Sequence, residues 1–258
     1  MRPDEKAVTL LSPAIRKDLR SFIDQRTLFA FDLDGTLAPI TSDPSNIVIA
    51  PEISVRMSRL CNLARIAVLT GRGLEDARSH LTFNPHYLIG NHGAEGLPEL
   101  DGKREVFLNL CHDWEHHVRQ LVVNSLSGIT VENKGETLSI HYRNHPDHQT
   151  ASSLILRAAS SLRPSPRIIH GKCVVNLVPA GAPNKGDALL STMKQGNFEK
   201  ALFVGDDETD EDVFRLRNQC IFGIRVGEKE SSFARYFLSS QLGVVDLLDE
   251  VIRTLEPM

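Results

Sequence analysis

Two aspartates, Asp32 and Asp34, stand two residues apart at the end of an apolar run in FAFDLDGTLAPI (29–40). Carboxylates at the end of a buried strand are costly unless something compensates their charge. Other apolar runs also end in reactive polar groups, namely Thr70, His92 with Glu95, and the acids Asp206, Asp207 and Asp210. Because ligands of a parallel sheet bind at the carboxyl ends of its strands, we expect these groups to converge.

Clustered carboxylates repel one another, and a Mg²⁺ ion relieves that repulsion because it is hard and prefers oxygen ligands. No group of cysteines and histidines accompanies the acids, which disfavours zinc. A carboxylate beside Mg²⁺ can attack a phosphoryl group and form an aspartyl-phosphate. Thr70 can donate to a phosphoryl oxygen, Lys185 can offset negative charge, and the backbone around Gly35 and Thr36 can form an anion nest. The plainer alternative, a turn that merely uses Asp and Gly, leaves the acids of GDDETDED (205–212) unexplained.

These residues need a scaffold, and the apolar pattern predicts one. Strands are predicted at 27–33, 64–72, 86–95, 200–214 (an apolar strand that ends in a run of carboxylates) and 220–227, with helices at 5–25 (interrupted near Pro13), 51–63, 74–81, 185–194 and 244–256. Alternating strands and helices indicate an α/β core with a parallel sheet.

The alternation of single strands and helices stops in the middle of the chain, where DGK (101–103) suggests a turn. Helices at 109–126 and 147–162 are each followed by two strands, at 129–135 and 137–143 and then at 167–171 and 173–179. We therefore expect a discontinuous core, 1–103 and 181–258, with an α+β module inserted at 104–180.

Four motifs, DLDGT, LTGR, NKGDAL and GDDETDED, occur in that order and resemble those of the haloacid-dehalogenase superfamily of phosphohydrolases. The resemblance implies a Rossmann-like core with an inserted cap. It implies that Asp32 is the nucleophile and Asp34 the general acid and then base. It also implies that Asp32, the Asp34 carbonyl and Asp206 hold Mg²⁺, with Asp207 and Asp210 as outer ligands, and that Thr70 and Lys185 hold the phosphoryl group.

More narrowly, GNHGAE (90–95), VENKG (131–135), IHYR (140–143) and GKCVVNLVP (171–179) are similar to the trehalose-6-phosphate phosphatase family. The resemblance implies a cap built from two αββ units and hydrolysis of trehalose 6-phosphate. The candidate substrate-binding residues are Gly71, Arg72, His92, Glu95, Glu132, Lys134, His141, Arg143, Lys172 and Asn176. Each charged candidate in the cap could instead lie on a solvated sheet face.

One departure concerns the sugar. The family usually has Glu where this chain has Asn176, and a basic residue where it has Val178. A phosphatase acting on sucrose phosphate or a glycosyl-phosphoglycerate is therefore an alternative, and a non-catalytic phosphosugar-binding protein is another. His112 and His116 have the spacing of a transition-metal pair on a helix, although an exposed polar helix face is the favoured explanation because no further ligands converge in the sequence.

The bulk properties exclude some partners. The net charge is −4 and no Lys/Arg-rich run occurs, which argues against a nucleic-acid partner. We expect no membrane segment and no signal peptide. The four cysteines form no CxxC pair, so we expect reduced thiols in a cytoplasmic protein. The partner implied by the family resemblance is a small-molecule sugar phosphate.

Overall fold

The structure is a computed structural model that describes residues 11–41 and 43–256. In the described residues the strands are β1 (Thr27–Phe31), β2 (Arg65–Leu69), β3 (Tyr87–Ile89), β4 (Thr130–Asn133), β5 (Leu138–His141), β6 (Arg167–Gly171), β7 (Val174–Val178), β8 (Lys200–Gly205), β9 (Ile221–Val226) and β10 (Tyr236–Leu238). The α-helices there are α1 (Pro13–Phe22), α2 (Pro51–Leu63), α3 (Leu74–His80), α4 (Asp101–Val118), α5 (His148–Ser161), α6 (Lys185–Gln195), α7 (Glu211–Phe214) and α8 (Gly243–Leu255).

Six strands form one sheet, in the order β10-β9-β8-β1-β2-β3. β1 pairs in parallel with both β2 and β8. All five residues of β1 are buried, and five of the six residues of β8 are buried. Such continuous apolar runs are typical of parallel strands covered on both faces. The predicted α/β core is therefore confirmed.

The second sheet is antiparallel and has the order β4-β5-β7-β6. Its buried side chains share a core with α4 and α5, in which Trp114, Leu138, Ile155 and Leu177 are all nearly inaccessible. α5 begins at an N-cap, Asp147, whose carboxylate accepts the backbone N–H groups of residues 149 and 150. The predicted order of helix, two strands, helix and two strands is confirmed.

The chain divides into two compact units. The first contains the described residues through Leu69, Arg78–Leu88 and those from Lys185 onward, and the second contains Thr70–Ala77 and Ile89–Asn184. The predicted insert, 104–180, lies within the second unit.

Several local features differ from the predictions or extend beyond the described residues. The turn expected at 101–103 is wrong, because α4 begins at Asp101 and continues through Gly102. β10 and α7 were not predicted, since three- and four-residue elements carry too little periodicity. The helix expected at 5–25 is observed as α1, and its predicted first part lies outside the described residues.

Candidate active site

Three carboxylates form a cluster at the ends of two neighbouring strands. Asp32 directly follows β1, Asp206 directly follows β8, and Asp210 lies four residues further on. Oxygen atoms of these three side chains lie within 4.8 Å of one another. Since β1 and β8 pair in register up to Phe31 and Val204, the two strand ends lie side by side. The predicted convergence of Asp32 with the later acids is confirmed.

A buried lysine connects two of these acids. Lys185 is the first residue of α6 and is 2% exposed. Its Nζ donates to Oδ1 of Asp32 at 2.8 Å and to Oδ1 of Asp210 at 2.7 Å. Three carboxylates and one ammonium leave a formal charge of −2 within the cluster. A set of hard oxygen donors with that charge fits a divalent hard cation such as Mg²⁺.

The pKa values of the cluster residues are shifted by this excess of negative charge and by burial. Burial, together with repulsion from Asp210 and Asp206, raises the pKa of Asp32 well above its usual value despite the nearby Lys185. Burial and repulsion from Asp210 raise the pKa of Asp206 to about 7. Burial opposes the charge on Lys185, but attraction to Asp210 and Asp32 outweighs it and raises the pKa of that lysine. An additional cation would lower the free energy of the ionised acids.

Asp210 also organises the backbone of the loop. Its Oδ2 accepts the N–H groups of Asp206 at 2.8 Å and Asp207 at 2.9 Å, while its Oδ1 is held by Lys185. Both oxygens are therefore occupied within the protein, which fits the predicted outer role. The Asp207 side chain is exposed and is not a member of the three-carboxylate cluster.

The loop after β1 approaches Asp206 closely. Gly35 has a φ of +83°, and a Cβ placed there would overlap the Asp206 carboxylate. The Gly35 N–H donates to the carbonyl of Ala38 at 2.7 Å, which closes the turn. The Thr36 hydroxyl lies 3.4 Å from Oδ1 of Asp206. Glycine is needed at position 35 because both the backbone conformation and the space exclude a side chain.

A second buried ion pair supports the acid loop, and the sequence did not predict it. Arg225 in β9 is 7% exposed and donates from Nη1 to the Asp207 carbonyl at 3.0 Å and from Nη2 to the Asp206 carbonyl. Glu211 is 1% exposed and accepts from Arg225 Nη1 at 2.9 Å. A signal existed, because Arg225 is the charged residue in the otherwise apolar strand IFGIRV, and an arginine there needs a partner.

The predicted residues of the second unit begin directly after β2. The Thr70 hydroxyl is buried and accepts the Arg72 N–H at 3.2 Å. Arg72 is 8% exposed, and its Nη1 pairs with Asp76 at 2.7 Å. The ring of His92 lies against Gly71, where a Cβ would overlap it. These residues are therefore fixed rather than solvated.

Asn91, a buried residue with a φ of +51°, connects several of the candidates. Its amide donates to Glu95 Oε2 at 3.0 Å and to the Lys134 carbonyl at 3.2 Å. Glu95 Oε2 also accepts the Leu74 N–H at 2.9 Å. The Lys134 Nζ in turn donates to the Gly71 carbonyl at 3.3 Å. Sequence reasoning missed Asn91, although it lies within GNHGAE.

Glu132, Lys134 and His141 form a charged group on β4 and β5. His141 Nε2 lies 2.9 Å from Glu132 Oε2, and Lys134 Nζ lies 3.9 Å from the same oxygen. Glu132 pairs with Ser139 in the ladder, so His141 is its diagonal neighbour on that face. The hydrogen bond from His141, with attraction from Lys134, lowers the pKa of Glu132 despite burial.

The remaining candidates lie elsewhere in the second unit. Arg143 Nη2 is 3.5 Å from the Lys172 carbonyl, near the turn between β6 and β7. Asn176 is 7% exposed, and its Oδ1 accepts the Ser139 hydroxyl at 2.6 Å across the β5–β7 ladder. Val178 is buried. The Asn176 amide is thus already hydrogen-bonded inside the second sheet.

The histidine pair on α4 gains no support as a metal site. Among the described residues, the group of acids, histidines and cysteines suited to a metal is Asp32, Asp206 and Asp210. His116 Nε2 instead contacts the Gln120 amide at 2.9 Å.

Across the described ranges, helices long and apolar enough to cross a bilayer are absent. All four cysteines are unpaired.

Comparison with known proteins agrees with this geometry. A sequence model of the trehalose-phosphatase family matches residues 30–241. The chain belongs to the trehalose-phosphatase family. That match contains all the acids of the cluster and Lys185, and it confirms the resemblance inferred from the motifs and the prediction that the chain is a phosphatase.

Individual relatives give the same result. The chain is 33% identical over 217 residues to a probable trehalose-phosphate phosphatase of Sinorhizobium fredii, covering 81% of this chain and 80% of that relative. It is 30% identical over 199 residues to the trehalose-6-phosphate phosphatase of Escherichia coli, covering 73% of each chain.

The crystal structure of a trehalose-6-phosphate phosphatase related protein matches with a TM-score of 0.73 at 24% identity, covering 88% of this chain and 97% of that one. The C-terminal domain of the Candida albicans trehalose-6-phosphate phosphatase matches with a TM-score of 0.71 at 20% identity, covering 95% and 99%. At these identities the two structures support the trehalose-phosphatase fold alone.

Proposed function

We propose that this phosphatase hydrolyses trehalose 6-phosphate to trehalose and phosphate with Mg²⁺ as cofactor and an aspartyl-phosphate on Asp32 as intermediate. The observation that supports the chemistry best is the buried cluster of Asp32, Asp206 and Asp210 bridged by Lys185. Family membership supports the substrate.

Asp32 and Asp34 divide the chemistry. A carboxylate oxygen of Asp32 attacks phosphorus, and the bond between phosphorus and the sugar oxygen breaks. The Asp34 carboxyl gives its proton to that leaving oxygen and is left as a carboxylate. Asp34 then takes a proton from a water molecule, which attacks the acyl phosphate and releases inorganic phosphate while Asp32 is regenerated.

The surrounding residues hold charge and position. Lys185 orients the Asp32 carboxylate and favours its ionised form, because its ammonium lies 2.8 Å from Oδ1. The Asp32 and Asp206 side chains and the Asp34 carbonyl would hold the Mg²⁺ ion, with Asp207 and Asp210 as outer ligands. When bound, the ion would supply positive charge that stabilises the phosphoryl oxygens. Thr70 donates its hydroxyl to a phosphoryl oxygen.

The substrate side of the proposal rests on the second unit. Trehalose offers many hydroxyls, and a site built to bond hydroxyls rejects analogues that lack them. Glu132, Lys134 and His141 supply a charged, hydrogen-bonded group for this purpose. Gly71, Arg72, His92, Glu95, Arg143, Lys172 and Asn176 remain candidates for the same role. A different glycosyl phosphate is the second candidate substrate, since Asn176 is buried and bonded to Ser139.

A substrate panel tests the proposal. Phosphate release should be far faster from trehalose 6-phosphate than from glucose 6-phosphate, sucrose 6-phosphate or a glycosyl-phosphoglycerate. Asp32→Asn should abolish release while the far-ultraviolet circular dichroism is unchanged, and a chelator should stop turnover until Mg²⁺ is restored. A faster rate on another sugar phosphate would refute the substrate, whereas turnover by Asp32→Asn would refute the nucleophile.

The proposal includes a reducing, cytoplasmic location, which the unpaired state of all four cysteines supports. Free-thiol titration of protein purified without reductant tests it. Four titratable thiols per denatured chain are expected, and stable disulfides would contradict the assignment.

A further inference from the structure

A cleft of about 440 Å³ lies in the first unit, apart from the acid cluster. Aromatic rings form much of its wall. Phe222 and Tyr236 are stacked, with ring centroids 4.3 Å apart and planes 7° apart, and Phe22 lies 5.3 Å from Phe222. Phe233 also lines the cleft and is 43% exposed. An open cleft with several aromatic walls suits a flat ring.

Two arginines line the same cleft. The Arg217 guanidinium lies 5.2 Å from the centre of the Phe233 ring, and that of Arg235 lies 5.1 Å from the centre of Tyr236. In the described part of the chain, Arg217 pairs with no carboxylate, and the cleft wall contains no acid. Asp18 is a nearby acid, since it accepts the Tyr236 hydroxyl at 2.6 Å and lies 3.8 Å from Arg235.

The backbone at Arg217 is also unusual. Its φ of +46° is in the left-handed region, which glycine occupies most easily. A side chain kept in that conformation carries some strain, and such residues are concentrated at functional sites. This conformation belongs to Arg217, the cleft arginine that pairs with no carboxylate among the described residues.

We propose that this cleft binds a small anion that carries a flat aromatic ring, of mononucleotide size. Phe233 supplies an exposed ring beside the stacked Phe222–Tyr236 pair, and Arg217 supplies a fork-shaped donor for a phosphate, sulfonate or carboxylate. The volume is within the range of small-molecule sites. None of its lining residues belongs to the acid cluster or to the candidate substrate residues.

The cleft is connected to the acid loop by hydrogen bonds. The Phe233 N–H donates to Glu211 Oε2 at 2.9 Å, and Glu211 Oε1 accepts from Arg225 at 2.9 Å. Arg225 donates to the carbonyls of Asp206 and Asp207. A ligand that repositions Phe233 therefore acts on the support of the acid loop, so the bound anion modulates turnover. This regulatory half rests on the proposed function, whereas the binding half does not.

The fluorescent anion 8-anilinonaphthalene-1-sulfonate (ANS) is the probe, because it is flat, aromatic and no phosphate ester. Titration of the full chain should give saturable binding to one site, and the uncharged analogue N-phenyl-1-naphthylamine should bind at least about tenfold more weakly. Arg217→Gln should raise the ANS dissociation constant about tenfold. Arg157→Gln is the matched control, since Arg157 is an exposed arginine of α5, and it should leave the constant unchanged.

Phe233→Leu is a second variant, which removes the ring and retains an apolar side chain, and it should also weaken ANS binding. Equal affinity in wild type and both variants, or equal affinity for the uncharged analogue, overturns the site. Saturating ANS should change kcat or KM of phosphate release on the order of fivefold in the wild type, and Arg217→Gln should lose that response. Bound ANS without any change in turnover overturns the regulatory half. Failure of the proposed function is distinguishable, because it leaves no phosphate release with or without ANS.

Discussion

Lys185→Met is the most informative perturbation, since methionine keeps an unbranched side chain and removes the charge. The ammonium lies 2.8 Å from Asp32 and 2.7 Å from Asp210, and all three side chains are almost fully buried. At an effective dielectric constant of about 20, each contact gains about 6 kcal/mol of Coulomb energy. Desolvation of the ammonium offsets several kcal/mol of that gain.

Protonation relieves part of the remaining cost in the variant, because the pKa of Asp32 is already raised by burial and by repulsion from neighbouring acids. We therefore expect Lys185→Met to lower the free energy of unfolding by about 3–5 kcal/mol, the usual cost of breaking a buried pair. Turnover should fall by about 100-fold or more, because a preorganised charge at the reacting group is lost.

Urea unfolding in the presence of a chelator measures the change in the free energy of unfolding. Lys194→Met is the matched control, since Lys194 is an exposed lysine of the same helix, and its effect should be within about 0.5 kcal/mol of zero. Asp210→Asn and the double variant Lys185→Met/Asp210→Asn complete a double-mutant cycle for the Lys185–Asp210 pair. Because the double variant removes one charge of each sign, it should be less destabilised than the sum of the single variants by about 1–3 kcal/mol.

Two results would refute this reasoning. One is a Lys185→Met protein as stable as Lys194→Met, which would mean that the ammonium contributes nothing net. The other is additivity in the cycle, which would mean that Lys185 and Asp210 do not interact in solution.

Three further predictions concern other parts of the molecule. Gly35→Ala should reduce turnover by at least about tenfold with circular dichroism unchanged, because a Cβ there displaces the Asp206 carboxylate; unchanged turnover would contradict the close approach. Glu250→Gln should cost about 1.5–3 kcal/mol in urea unfolding at pH 7, because its fully buried carboxylate accepts from several arginines. Burial raises the pKa of Glu250, but the arginine bonds outweigh it and lower the pKa below 4.5, so the difference between the proteins should shrink as the pH falls below that value; a constant difference would count against the pairing. Ser139→Ala should cost about 1–3 kcal/mol in urea unfolding by leaving Asn176 without its hydroxyl partner, and an unchanged stability would contradict that hydrogen bond.

Patterns of the sequence predicted the central sheet well, for a physical reason. Buried parallel strands are short continuous apolar runs. The polar residue that follows each run can therefore be identified directly from the sequence. The strand that ends before Asp32 and the helix that begins at Lys185 were both recognisable in this way. The turn expected at 101–103 was wrong because Asp and Gly also occur at the start of a helix, and only packing decides between the two.

The sequence by itself determined the fold class, the family and which acids end the strands, because these properties depend on local composition and on motif order. Only the tertiary structure decided which of these groups hydrogen-bond to or form ion pairs with one another. Lys185 reaches Asp32 across 153 positions of the chain, and Arg225 reaches the carbonyl of Asp206 across 19. The strand register also decided that Asn176 lies opposite Ser139, a pairing that the motif alone did not show. Such contacts depend on how loops and strands pack, since a side chain's partner is set by distance in space and not by separation along the chain.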